Sequence, residues 1–112
     1  MTKAIVDLAA EYWKLVQYFK RAIELAPEQA RARMEAQVRY AESRMEAILA
    51  TQCMRVLSFD GMPFEPNMPA VAINADEFHD LDALVVERTL EPAVVKDMDV
   101  LVSGKVYLTK TE

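Results

Sequence analysis

Glycine is scarce, with only Gly61 and Gly104 in 112 residues. A loop that cradles phosphate needs several glycines within a few positions so that backbone N–H groups can close on the anion, and two isolated ones cannot build it. Cys53 is the only cysteine, so no internal disulfide forms, which fits a reducing compartment. The formal charge is -5 and no dense Lys/Arg tract occurs, which argues against a nucleic-acid binder, whose affinity comes from clustered basic groups. No apolar run approaches the roughly 18 residues needed to span a bilayer, and the opening Met1–Asp7 carries charge inside what would be a leader's apolar region. The expectation is a soluble, cytoplasmic chain with neither nucleic acid nor membrane as a partner. A chain this short has limited capacity to bury a core alone, so a second copy would help it.

Between Thr2 and Ala26 there is neither glycine nor proline. Apolar residues fall at Ile5, Leu8, Tyr12, Leu15, Phe19, Ala22 and Ala26, the three-four alternation of one helical stripe. A second stripe runs beside it through Val6, Ala9, Trp13, Val16 and Ile23. One partner helix cannot cover both. Pro27 suits the start of a second helix, and Glu28 complements the positive end of its dipole. That helix is expected to reach about Leu57, with a seam of Met34, Val38, Ala41, Met45, Ile48 or Leu49, Cys53 and Val56. Its outer face pairs opposite charges three or four apart, as in Glu35 and Arg39, Glu28 and Arg31, and Arg39 and Glu42. The methionines of the seam read as packing filler rather than a cofactor site.

An apolar sector this wide predicts a four-helix bundle made by two chains. Leu8, Tyr12, Leu15, Phe19, Val38 and Met45 are the candidate dimer interface. The competing arrangement is an antiparallel pair packed on the β half of its own chain.

The stretch Phe59–Pro69 holds one of the two glycines and three of the five prolines. Helix cannot cross it, because each proline lacks a donor and pushes its predecessor toward extended geometry. It reads as a joint between a helical dimerisation region, residues 1–58, and a small β domain, residues 59–112. Beyond it, strands are expected at Ala70–Ile73, Leu84–Leu90, Val100–Val102 and Lys105–Thr109, with Asn74–Glu77 a polar turn and Glu91-Pro92 a break. Ser103-Gly104 is either a tight turn or a bulge in one longer strand. Helices first and strands afterwards define an α+β chain with a small antiparallel sheet.

Chemistry has few carriers. Asp76, Glu77, His79, Asp80 and Asp82 form an acidic cluster, but it lacks the central glycine of a calcium loop and a second nitrogen ligand, so it reads as a wet loop and no metal is assigned. Cys53 falls at a helix position expected to be buried and His79 in the other half, which leaves no nucleophile and base within reach. No catalytic residue and no cofactor is expected, and the chain reads as an interaction module rather than an enzyme.

Four segments in order carry a family likeness: Phe19-Lys20-Arg21-Ala22-Ile23, Gly61-Met62-Pro63-Phe64-Glu65-Pro66-Asn67, Val85-Val86-Glu87 before Glu91-Pro92-Ala93, and Val100-Leu101-Val102-Ser103-Gly104-Lys105-Val106. With them the chain resembles the GrpE family, nucleotide exchange factors of DnaK-type heat-shock chaperones. The family's Leu-x-Arg-Ala-Leu helix end, Gly-x-Pro-Phe-Asp-Pro-Asn segment, Val-Val-Glu strand and closing Val-Leu-Arg-Pro-Ala-Lys-Val strand match these in turn. The resemblance implies a homodimer whose helices form a four-helix bundle and whose β domains dock on the chaperone's ATPase domain and open its cleft. It places Leu90, Asp99, Val100 and Leu108 on the docking surface. Asp99 and Val102 stand where the family carries arginines, and Ala93 where it carries a turn glycine. The family's long N-terminal coiled-coil helix is missing from this stretch, as in a shortened member or a trimmed core. The alternative implied by the lost arginines is a dimeric GrpE-fold scaffold without exchange activity.

Overall fold

The computed structural model describes residues 2–79 and 83–111. The chain is α+β, two long helices followed by a small mixed-sheet region, and it divides into Met1–Arg55 and Val56–Glu112.

The first unit is a helical hairpin of α1 (Thr2–Ile23) and α2 (Glu28–Ala50). Lys20 and Arg21 in the last turn of α1 complement the negative end of its dipole. The chain leaves α1 through i→i+3 bonds from the Glu24, Leu25 and Ala26 amides, which tighten its end. Pro27, with φ -59° and ψ 144°, then caps α2. The Arg31 side chain donates through Nε to the Ala26 carbonyl at 3.1 Å and through Nη2 to the Glu24 carbonyl at 3.2 Å. Its guanidinium thus ties down the loop instead of serving only as a surface partner for Glu28.

Two sequence expectations fail at the far end of α2. The helix stops at Ala50, and Cys53 is an exposed turn residue at φ 59°, in the left-handed region that glycine usually occupies after a helix. Thr51 Oγ1 donates to the Ile48 carbonyl at 2.6 Å, satisfying one of the last acceptors. Met54 and Val56, read as a continuation of helix, instead belong to strand β1 (Met54–Leu57). No glycine or proline marks this stop, which is why periodicity ran through it.

The remaining strands are β2 (Ala70–Ala72), β3 (Leu84–Glu91), β4 (Ala93–Lys96), β5 (Asp99–Val102) and β6 (Gly104–Lys110). They form two three-stranded sheets, in the orders β1-β4-β5 and β2-β6-β3. The expectation of a purely antiparallel sheet is corrected, because β2 runs parallel to β6 with Ala70 opposite Gly104.

β3 and β6 are antiparallel from Leu84 opposite Lys110 to Glu91 opposite Lys105, and the same ladder resumes as Val94 opposite Val102 and Lys96 opposite Asp99. Residues 84–110 are therefore one long hairpin bent at Pro92 and Gly104. Pro92 interrupts the strand, as anticipated, but extended chain returns at once as β4, which sequence reading missed. Gly104 is required at the bend: a Cβ there would sit 2.9 Å from the Glu91 carbonyl oxygen and 3.1 Å from the Ala93 nitrogen.

The proline-rich stretch belongs to this second unit. Phe59 is buried, the Gly61 amide donates to the Val86 carbonyl at 2.8 Å, and the Phe64 amide donates to the Leu84 carbonyl at 2.9 Å. Prolines are tolerated along this line because it covers the outer edge of β3, where few ladder donors are needed. Thr89 and Asp60 fasten it: the Phe59 amide donates to Thr89 Oγ1 at 2.9 Å, and the Thr89 amide donates to Asp60 Oδ1 at 2.7 Å. Phe59, Val86, Ala93, Val106 and Leu108 form the core of the unit.

The polar turn expected at Asn74–Glu77 is present, and Asn74 in it is buried. Its amide replaces a strand, accepting from the Leu108 amide at 2.9 Å and donating to the Leu108 carbonyl at 3.0 Å. The one-turn 3-10 helix Ala75–Glu77 follows.

Candidate functional site

On the helical hairpin, the two stripes of α1 meet different fates. Val6, Ala9, Trp13 and Val16 are buried, whereas Leu8 is 70% and Leu15 69% exposed, and Phe19 lies at 37%. The second stripe is thus the covered one. Of the six candidate interface residues, Leu8, Leu15 and Phe19 are exposed, Tyr12 and Met45 are half-buried, and Val38 is buried on α2. Of Ile48 and Leu49, Leu49 is the buried seam residue.

These residues line two neighbouring apolar hollows between the helices. One, of about 330 Å³, is bounded by Tyr12, Leu15, Val16, Phe19, Val38 and Ala41. The other, of about 270 Å³, is bounded by Ile5, Leu8, Ala9, Tyr12, Met45 and Ile48. Tyr12 stands in both walls, and its hydroxyl donates to the Ala41 carbonyl at 2.9 Å, pinning the ring to the middle of α2. At one end, Lys20 of α1 and Glu42 of α2 form a 2.7 Å ion pair across the helices. Glu42 was expected to face Arg39 along its own helix. Lys3 and Asp7 pair at 2.8 Å on the outer surface, and the hydrogen bond to the Asp7 carboxylate raises the lysine pKa.

In the second unit the docking residues implied by the family resemblance scatter. Asp99 and Val100 lie exposed on β5, and Leu90 is half-buried on β3. Leu108, 3% exposed, is part of the core and cannot meet a partner in this conformation. Alternation along β6 explains its place: Gly104, Val106 and Leu108 point inward, while Lys105 and Tyr107 face out.

Sequence reasoning missed the residues beside Asp99. Met98 is 96% exposed in the turn between β4 and β5, and Leu101 and Val102 are exposed with Val100. An apolar strand exposed along its whole length has no alternation to betray it, and only its position at the edge of the β1-β4-β5 sheet reveals it.

Among the described residues, no group of three or more His, Cys, Asp and Glu side chains is placed to hold a metal ion, and no helix is long and apolar enough to cross a membrane. Asp76 and Glu77 are exposed, and Asp80 and Asp82 of the acidic cluster lie outside the described residues.

These features define a class: a helical hairpin joined to a small mixed β unit, each presenting an uncovered apolar surface. No protein-family model matches the chain, nor does any curated protein or solved structure.

Proposed function

We propose that the protein is a GrpE-like co-chaperone: a dimeric, cytoplasmic exchange factor that speeds ADP release from a DnaK-type chaperone and performs no chemistry itself. The observation that carries this reading is the uncovered stripe of Leu8, Leu15 and Phe19 above two apolar hollows, which calls for a second helical hairpin. Exposure of such a continuous apolar surface on a small chain is the usual mark of an interface. The order of helices, proline-rich segment and bent hairpin agrees with the resemblance, and exposed Asp99 and Val100 remain available for docking.

The mechanism is linkage. A partner that binds the open ATPase cleft more tightly than the closed one weakens nucleotide binding by the same factor by which nucleotide weakens its own. No acid, base or metal is needed for this. A second reading, a dimeric scaffold of the same fold without exchange activity, is favoured by Asp99 and Val102 standing where the resembling family has arginines.

Release of a fluorescent ADP analogue from the cognate chaperone separates them. Exchange predicts faster release that saturates with this protein; an unchanged rate at saturation leaves only the scaffold.

A further inference from the structure

We infer that Met98 is a site of reversible oxidation by hydroperoxides, and that its sulfoxide loosens the contact proposed for the neighbouring Asp99 and Val100; the effect on that contact rests on the exchange reading and deepens it. β4 ends at Lys96 and β5 begins at Asp99, which lie opposite each other, so Asp97 and Met98 are the two residues of the turn between them. Asp97 takes a left-handed φ of 54°, which such turns use and which aspartate tolerates better than most residues with a Cβ. Met98 is left 96% exposed.

Exposure sorts the methionines. Oxidation requires a peroxide oxygen to reach the thioether sulfur, so a wet side chain reacts before a packed one. Among the described methionines, Met54 is 2% exposed, Met34, Met45 and Met68 are partly buried, and Met62 is 46% exposed. Met98 stands well clear of them all. Its sulfur gives a lone pair to one peroxide oxygen, the S–O bond forms as the O–O bond breaks, and the departing hydroxide takes up a proton and leaves as water. Sulfur loses two electrons and the peroxide gains them. A methionine sulfoxide reductase reverses the step with a dithiol, which becomes a disulfide as the oxygen leaves in water.

The fold tolerates this change, because so exposed a side chain contributes nothing to the core. Its consequence is at the surface. Val100, Leu101 and Val102 are exposed on β5 directly after the turn, and the sulfoxide sets a polar, chiral group at the head of that apolar run. A partner that covers the thioether gains from its burial, whereas covering the sulfoxide strips water from a strong acceptor. Hydrogen peroxide is uncharged, so the carboxylates of Asp97 and Asp99 and the ammonium of Lys96 do not hinder its approach.

The test uses the full chain carrying Cys53→Ser, so that the exposed thiol takes no part. After graded hydrogen peroxide, tryptic mapping follows each methionine, and Met98 is the only one in peptide 97–105. Met98 should be oxidised several-fold faster than Met62 and long before Met54, with the melting temperature unchanged. In release of a fluorescent ADP analogue from the DnaK-type chaperone of the same source, the oxidised chain should need about tenfold more protein for half its effect. The reductase should restore it. With every variant compared to its own untreated sample, Met98→Leu should show no effect of peroxide, whereas Met62→Leu should stay sensitive. Oxidation of Met98 no faster than Met62, a fall in melting temperature, an oxidised chain as effective as the untreated one, a sensitive Met98→Leu or a loss that the reductase does not reverse would overturn the inference while exchange stands. If the untreated chain does not speed release, exchange falls and the effect on docking with it, and the order of oxidation alone decides whether Met98 is the site.

Discussion

Replacing both Leu8 and Leu15 by serine is the sharpest test of the two-copy bundle. Fully burying a leucine side chain is worth about 1.5–3 kcal/mol. Leu8 is 70% and Leu15 69% exposed in the single chain, so each still has about 1–2 kcal/mol to gain. A symmetric dimer uses each residue twice, and four such burials contribute about 4–8 kcal/mol to association. At 1.4 kcal/mol per decade, the double variant should raise the dimer dissociation constant by about three to six orders of magnitude. The hairpin itself should lose far less, because the covered stripe of Val6, Ala9, Trp13 and Val16 is untouched. Serine in place of leucine costs only about 0.5 kcal/mol per site in helix propensity. Sedimentation equilibrium over a wide concentration range reads the outcome. The wild type should weigh twice 12.7 kDa and the variant 12.7 kDa, with little change in helical circular dichroism. A wild type of single-chain mass throughout, or a variant that stays dimeric, refutes the assignment of this face.

Two further predictions concern positions where one residue decides local geometry. Cys53→Gly should stabilise the protein by about 0.5–1 kcal/mol, because φ 59° strains a residue with a Cβ and costs glycine nothing; a lower denaturation midpoint would contradict the role given to this turn. Asn74→Asp keeps the acceptor for the Leu108 amide but sets a carboxylate against the Leu108 carbonyl, in a buried position. The folded-state pKa of that carboxyl should rise above its unfolded value of about 3.9. The penalty is then full above the folded pKa and is relieved as pH falls through it, so stability relative to wild type should improve on acidification. Denaturant titrations of both proteins at neutral and acidic pH check the sign, and a gap that widens in acid would refute it.

Much of the architecture was legible because it rests on local rules. α1 is a long glycine-free run with two apolar stripes, and β2, β3 and β6 fall where β-branched residues cluster between turn signals. Local signals failed where a residue took a role its type does not advertise. Cys53 ends a helix in glycine's place, and β4 resumes behind Pro92 because the opposite strand holds it in register. The candidate surfaces were half legible. The excess of apolar width on α1 could be counted from the sequence, whereas Leu108 looked as available as Val100 until the alternation of β6 set it in the core with Val86 and Val106.

The amino-acid order alone determined that helices precede strands, that α1 carries two adjacent apolar stripes, and that no glycine loop, internal disulfide or dense basic tract occurs. Periodicity and composition suffice for those, since each is a property of neighbours along the chain. Only the tertiary structure decided which stripe is covered, that Asn74 substitutes for a strand, and that the apolar run Val100–Val102 is bare while Val94 and Val95 beside it are buried. Burial depends on which distant segments arrive against each face, and similar valine-rich stretches end buried, as Val94 and Val95 do, or exposed, as Val100–Val102 does, according to what packs on them.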